Sequence, residues 1–377
     1  MCVTGFVPAL PGDVTPEWLT LALRDAGVIS TSQVTGCRTT IIGQEWGFTG
    51  IVARVDLQYD GPEPDAPASV VAKFPNAAGE TLSAFRTNQQ SDPELARRYL
   101  QRCAREIWFY QQVAPHSPLA APRMYHGVAD LDDGRFVLLL QDLRDMRFGD
   151  AVLGCSVDDT ASVLDAIAPF HAAWWGRSGD GQLAWIPQWP EDAHWRAGRF
   201  QEHAGSFLER FSERVPLAVQ STIRMLDSGF LMAMDELSRA PKTIAHSDLH
   251  LDNVAFDTDG SATIIDWQGV RWMPAAYDVA GFVSGSPDLQ SRRESEDVLL
   301  QRYHRLLLQH GVADYSYDDL LRHYRLALAC ILSNIVIWLG SADLTGAAGR
   351  ELDLRNGMLD NNRLFSMVSD HWLDELY

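Results

Sequence analysis

The sequence predicts an α+β chain in which a β-rich N-terminal lobe gives way near residue 141 to a mainly helical C-terminal lobe. Three observations point there. Strand-like segments cluster between Val34 and Phe74, two more lie around Arg123–Gly127 and Arg135–Leu143, and helical periodicity dominates beyond them. With 377 residues the chain is long enough for two lobes, each with its own core. The division falls into residues 1–141 and 142–377, without a low-complexity linker or an internal repeat.

Each element has its own signal. Thr15 and Pro16, followed by Trp18, Leu19, Leu21, Leu23 and Gly27, read as an N-cap, a first-turn proline, an apolar face and a terminating glycine, hence a short opening helix. CRTTII, IVARVDLQY and SVVAKF are β-rich and separated by Gly and Pro clusters, which suits three antiparallel strands. From Pro93 to Val113, Leu95, Tyr99, Leu100, Cys103, Ile107 and Tyr110 recur at helical spacing. The apolar run Leu326–Leu339 is interrupted by Ser333 and Asn334 and falls short of a membrane span, so it reads as a buried helix.

The chain carries 31 basic and 50 acidic residues, a formal net charge of −19. Such a surface repels phosphate backbones and anionic lipid, which argues against nucleic-acid or membrane partners. Cys2, Cys37, Cys103, Cys155 and Cys330 are scattered, with no CxxC pair, as in a reducing compartment. The N-terminus has no basic start followed by an apolar core. A cytoplasmic location is expected, and no obligate protein partner is evident.

The densest chemistry lies in AHSDLHLDNVAF, Ala245 to Phe256. NVAF and ATIID flank the turn DTDGS and read as a β-hairpin, in which Asn253 enters the first strand and Asp266 ends the second. Antiparallel pairing then brings Asn253 and Asp266 to one end of the hairpin, near the loop bearing Asp248. Two oxygen ligands beside a carboxylate suit magnesium-dependent phosphoryl transfer, with Asp248 deprotonating the attacking hydroxyl. A metallohydrolase using His246, Asp248 and His250 is the competing chemistry, but it leaves Asn253 and Asp266 without a role and finds no further ligand cluster nearby. A capped polar loop is the third reading.

A phosphotransferase also needs a cation on the nucleotide phosphates. SVVAKF puts Lys73 in an otherwise apolar strand, where a charge calls for a partner. Glu106 on the following helix is the natural one.

VVAK, the helix Glu, HSDLHLDN and IIDWQ, in this order, resemble the aminoglycoside phosphotransferase and choline kinase superfamily, whose fold is protein-kinase-like and bilobal. The likeness runs from about Thr15 to Phe282 and is strongest to the ecdysteroid kinase-like branch, with DWQ after the HxDxxxxN loop, HAAWW at His171–Trp175 and YDVAGF at Tyr277–Phe282. The resemblance implies that Asp248 is the catalytic base, that Asn253 and Asp266 hold Mg2+, and that Lys73 contacts the phosphates of ATP or GTP while Glu106 positions it. It places IGQEWGFTG, with Gly43, Gly47 and Gly50, over the nucleotide, and Leu140–Leu143, with Gln141, at the inter-lobe hinge beside the adenine. It gives His246 and Asp278 the task of bracing the loop, and leaves His250 to face the acceptor or to cap the turn.

The sequence departs from the superfamily in two places. Ser247 stands where many members have Gly, and Gln268 replaces a second acidic residue found after the metal-binding Asp in aminoglycoside kinases. The expected function is therefore phosphorylation of a small-molecule hydroxyl, with a bulky apolar alcohol such as a steroid or polyketide favoured. Trp174, Trp175, Trp185, Trp189 and Trp195 are candidates for lining its pocket, or for core. The acidic balance points instead to a cationic aminoglycoside or choline. A nucleotide-binding pseudokinase scaffold is the alternative without turnover.

Overall fold

The computed structural model describes residues 6–42, 50–75, 93–177, 181–341, 353, 356–359 and 363–371. The chain divides into two compact units. One comprises residues up to His116, Ala121–Asp145 and Asp266–Gln268; the other comprises Ser117–Ala120, Met146–Ile265 and residues from Gly269 on.

The first unit is built on a five-stranded sheet of β1 (Val34–Ile42), β2 (Gly50–Tyr59), β3 (Ser69–Pro75), β4 (Met124–Asp130) and β5 (Arg135–Gln141), in the order β1-β2-β3-β5-β4. Every neighbouring pair is antiparallel. The opening helix, Pro16–Asp25, starts where the Thr15 hydroxyl accepts the Trp18 amide at 3.2 Å. Its Trp18, Leu19, Ala22 and Leu23 are buried in one core with Ala53, Val55, Val70, Ala72 and Phe74, the alternate residues of β2 and β3. The helix Pro93–Gln112 precedes β4 and matches the predicted span to within a residue.

Asp142, just beyond β5, ties three segments of this unit together. Arg54 grips it through Nε and Nη2 at 2.7 and 3.2 Å, and the Ser69 hydroxyl and Arg144 Nε each donate at 2.7 Å. Burial pushes this carboxyl up, but the hydrogen bonds from Arg54, Ser69 and Arg144 outweigh it and hold it below its ordinary value.

The second unit is mostly helical. Two small antiparallel pieces of sheet are embedded in it: a ribbon of β7 (Lys242–Ala245) with β10 (Arg271–Pro274), and a sheet of β6 (Arg147–Phe148), β8 (Val254–Phe256) and β9 (Ala262–Ile264) in the order β6-β8-β9. The hairpin read from the sequence is β8–β9, with Val254 opposite Ile264 and Phe256 opposite Ala262. Its strands are shorter than expected: Asn253 closes a 3-10 turn before β8, and Asp266 lies beyond β9 with φ of 64°.

The run Leu326–Leu339 belongs to a longer helix, Tyr317–Ser341, which by length and composition is long and apolar enough to cross a membrane. Its apolar side chains are nonetheless buried in this unit, with Leu326, Ala327, Leu328, Leu332, Val336 and Leu339 at 1% exposure or less. It packs against the helices Ala193–Phe211, Leu217–Ser238 and Ala276–Gly285.

Arg292 fastens the C-terminal helix Arg363–Asp370 to the helix Leu289–Gln309. Its side chain is 1% exposed, donates to Glu296 at 2.7 Å and is paired with Asp370, while Glu296 also receives the Tyr324 hydroxyl at 3.0 Å. Removing one partner of a buried charge network leaves the others uncompensated. Arg292→Met is therefore expected to lower the unfolding free energy by about 3 kcal/mol, read as a lower midpoint in urea at unchanged slope.

Candidate active site

In the first unit, Lys73 sits in β3 opposite Val52 of β2 and Leu138 of β5. Its ammonium donates to Glu106 Oε1 at 2.7 Å and to Asp266 Oδ1 at 3.1 Å, so the expected strand–helix ion pair forms and a second carboxylate joins it. Glu106 is buried and Lys73 nearly so. Burial pulls the lysine down, but the charges of Asp266 and Glu106, with the hydrogen bonds they accept, outweigh it and hold Lys73 above its ordinary value. Burial also pushes the Glu106 carboxyl up, with Lys73 pulling it back.

Asp266 reaches this unit because the tripeptide Asp266–Gln268 packs with it. Trp267 lies flat on Phe109 from the same helix as Glu106, with ring centroids 4.1 Å apart and planes 4° apart, and both rings are fully buried. Gln268 Nε2 donates to Asp266 Oδ2 at 3.1 Å, so the residue that replaces a second acid holds the first in place. Asp266 adopts a left-handed φ of 64°, a region that Asp enters more readily than most L-residues.

The other expected nucleotide contacts fall out unevenly. Gly43 and Gly47 lie outside the described residues. Gly50 opens β2, where a Cβ would stand 2.6 Å from the Phe74 carbonyl oxygen, so close strand approach alone requires glycine there. Gln141 ends β5; its amide donates to the Arg123 carbonyl at 2.8 Å, and its side-chain oxygen receives the Arg123 amide at 3.2 Å. The Gln141 side chain thus serves strand pairing.

In the second unit, the loop from His246 to Asn253 leaves β7 and leads into β8. Asp278, in the helix Ala276–Gly285, accepts the His246 amide on Oδ2 at 2.6 Å and the Ser247 amide on Oδ1 at 2.8 Å. Asp278 Oδ2 lies 3.3 Å from His171 Nε2, and His171 Nδ1 lies 2.8 Å from the Tyr303 hydroxyl, all three side chains being fully buried or nearly so. The Thr243 hydroxyl donates to the His171 carbonyl at 2.7 Å. The bracing role expected of Asp278 is therefore visible as a chain of contacts from three helices. His171 was legible only as part of HAAWW, and Tyr303 carried no signal at all.

The loop's own residues complete the brace. His246 Nε2 lies 2.9 Å from the Ile265 carbonyl, which can only accept, and Nδ1 receives the Asp248 amide at 3.3 Å. Those fixed partners require the neutral ring with its proton on Nε2, and they spend both nitrogens. Ser247 has φ of 66°, which explains why glycine is an easier residue there; its hydroxyl donates to the Gly269 carbonyl at 2.5 Å. Gly269 is needed, since a Cβ would stand 2.9 Å from the His246 carbonyl oxygen.

Asn253 Nδ2 donates to the Asp248 carbonyl at 3.0 Å and lies 3.1 Å from His250 Nε2. A carbonyl cannot donate, so the amide nitrogen must face it, and among the described residues Asn253 Oδ1 takes no hydrogen bond. That oxygen is a hard donor of the kind magnesium takes. The Ile265 amide donates to the Asn253 carbonyl at 3.0 Å, and Asp266 is the next residue along the chain. The His250 carbonyl accepts the Asn253 amide at 2.9 Å, while its side chain makes no capping bond. The Asp248 side chain is 47% exposed.

The zinc chemistry fails on this geometry: both His246 nitrogens are spent on the loop, and among the described residues no three His, Cys, Asp or Glu gather as a metal-holding group. Of the tryptophans, Trp174 and Trp189 are buried, Trp189 lies against Tyr277 with centroids 6.2 Å apart, and Trp195 is exposed.

Comparison with known proteins agrees. No curated protein matches the sequence. Among solved structures, the chain is similar to the GDP complex of aminoglycoside 2′-phosphotransferase-IIIa, with TM-score 0.52 and 12% identity over 95% of this chain and 98% of that one. It is similar to macrolide 2′-phosphotransferase MphH from Brachybacterium faecium, with TM-score 0.50 and 14% identity over 91% and 97%. Choline kinase from Cryptosporidium parvum Iowa II gives TM-score 0.51 and 10% identity over 90% and 92%. At these identities the likeness is one of fold, and the fold is the protein-kinase-like one. The sequence model of the ecdysteroid kinase-like family matches residues 45–317. The chain thus belongs to the ecdysteroid kinase-like family of kinase-fold phosphotransferase enzymes.

Proposed function

We propose that the protein transfers the γ-phosphoryl group of ATP or GTP to a hydroxyl of a small molecule, with magnesium as its metal. The observation that carries this reading is Lys73, largely buried in β3 and held by Glu106 and Asp266 at 2.7 and 3.1 Å. A buried ammonium fixed in this way presents a preorganised cation to phosphate oxygens at no reorganisation cost. Glu106 keeps it aimed.

Asp248 takes the proton of the acceptor hydroxyl as that oxygen forms its bond to the γ-phosphorus. The bond from the γ-phosphorus to the β,γ-bridging oxygen breaks, and the nucleoside diphosphate leaves with the electron pair. Asn253, through Oδ1, and Asp266 supply hard oxygens that fit magnesium. Bound there, magnesium would neutralise charge on the phosphates. The turn with Gly43, Gly47 and Gly50 and the segment at Gln141 are assigned to the nucleotide. The GDP bound by the aminoglycoside 2′-phosphotransferase is a reason to test GTP beside ATP. For the acceptor, a bulky apolar alcohol is favoured over an aminoglycoside, because Gln268 stands where the aminoglycoside kinases have an acid.

Asp248→Ala is expected to lower kcat by about a thousand-fold while leaving nucleotide affinity within about two-fold, measured by ATP consumption and by calorimetry. Substantial remaining transfer would overturn the assignment. Asp266→Ala should weaken magnesium–nucleotide binding by about ten-fold or more, and unchanged affinity would remove its metal role. Asp278→Ala leaves the His246 and Ser247 amides without their buried acceptor, and is expected to lower kcat by at least about ten-fold with the KM for nucleotide unchanged.

A further inference from the structure

Beside the loop that carries Asp248 lies a polar group of side chains that phosphoryl transfer does not use. Arg271 opens β10 and pairs across the ribbon with Ala245, the residue before His246. Its side chain is only 20% exposed, yet among the described residues its guanidinium donates no hydrogen bond; its ion-pair partner, Asp192 Oδ1, is 3.9 Å away. That oxygen is itself buried without a hydrogen-bond partner.

Asp192 is shared. Arg196, one turn further along the same helix, brings Nε to 3.0 Å from Asp192 Oδ2 and donates through Nη1 to Asn334 Oδ1 at 2.6 Å. Asn334 Nδ2 in turn donates to the Tyr277 hydroxyl at 2.7 Å. The hydroxyl proton of Tyr277 has no acceptor among the described residues. Arg196 and Arg271 thus share Asp192, and the Glu191 carboxylate also acts on Arg271.

Tyr277 adjoins Asp278, whose carboxylate accepts the His246 and Ser247 amides of the loop that carries Asp248. Burial pushes the Tyr277 hydroxyl up, with Arg196 and Arg271 pulling it back and Asp248 adding to the rise, so the charges of all three reach one hydroxyl. Burial draws Arg271 down, and Asp192 offsets it only in part. A half-buried cation with unspent donors, and a phenol with an unspent proton, are costly to keep unless a ligand completes them.

We propose that Arg271 and the Tyr277 hydroxyl receive a carboxylate carried by the acceptor, whose hydroxyl is then presented to Asp248. This names the acceptor class within the phosphotransferase reading above and rests on it. A planar guanidinium takes a carboxylate through two parallel N–H···O bonds, fixing orientation as well as charge.

The test offers the full-length protein, with magnesium and ATP, hydroxy acids on a steroid, an aromatic and a short aliphatic skeleton. Each acid is paired with its methyl ester and with the primary amine that replaces the carboxylate. ATP consumption and calorimetric binding in the presence of ADP are read together. The acid of at least one skeleton is expected to exceed its ester and amine by about ten-fold or more in kcat/KM or affinity. Arg271→Met should bring that acid down to the level of the ester, Arg271→Lys should recover part of the difference, and Tyr277→Phe should weaken acid binding several-fold.

An acid no better than its ester on every skeleton, a preference that survives Arg271→Met, or no acid binding by protein that still binds ADP would each overturn the proposal. Failure of the wild-type protein to bind nucleotide would strike the phosphotransferase reading instead. Acid binding that depends on Arg271 would then leave the anion site standing.

Discussion

A charged lysine inside a β-sheet demands counter-charge, and much of the first unit is arranged to meet that demand. Lys73 faces Glu106 and Asp266, and neither carboxylate is local in sequence. Glu106 arrives on the helix Pro93–Gln112, and Asp266 arrives on a tripeptide anchored by the stack of Trp267 on Phe109. The stack buries a large apolar surface beside Asp266, whose backbone takes a left-handed φ of 64°. Packing here positions charge, and charge is what the chemistry requires.

The second unit meets the complementary demand. A loop crowded with polar side chains must satisfy its buried backbone amides. Asp278 accepts two of those amides, and behind it stand His171 and Tyr303. His246 closes the loop from within by bridging the Asp248 amide and the Ile265 carbonyl. The left-handed turn at Ser247 is what bends the chain tightly enough for both of Asp278's bonds to form, and Gly269 gives it room. The Asp248 side chain stays half exposed at the rim of this braced loop.

The sequence was most legible where signals are short in range. The opening helix with its Thr15 cap, the strands of the first sheet, the Lys73–Glu106 pair and the β8–β9 hairpin follow from periodicity, capping chemistry and turn residues, which act over a few positions. Boundaries fared less well: Asn253 and Asp266 fall outside the strands expected to hold them, because a 3-10 turn and a left-handed residue interrupt the pairing. The length of the helix Tyr317–Ser341 was underestimated, because its opening turns, Tyr317–Arg325, carry Asp and Arg and lie outside the apolar run. At Gln141 the expectation concerned backbone groups of Leu140–Leu143, and the structure adds that its side chain accepts the amide of Arg123, just before β4.

By itself the sequence determined the α+β class, the residue types able to move a phosphoryl group and the family to which the chain belongs, because motif spacing and alternation are properties of the linear chain. Tertiary structure alone decided that Asp266 completes the charge balance of Lys73, that His171 and Tyr303 stand behind Asp278, and that Arg271 lies unspent beside Ala245. Each of those outcomes joins groups far apart in sequence. Their energies depend on burial and on distances of a few ångströms, which no local pattern encodes.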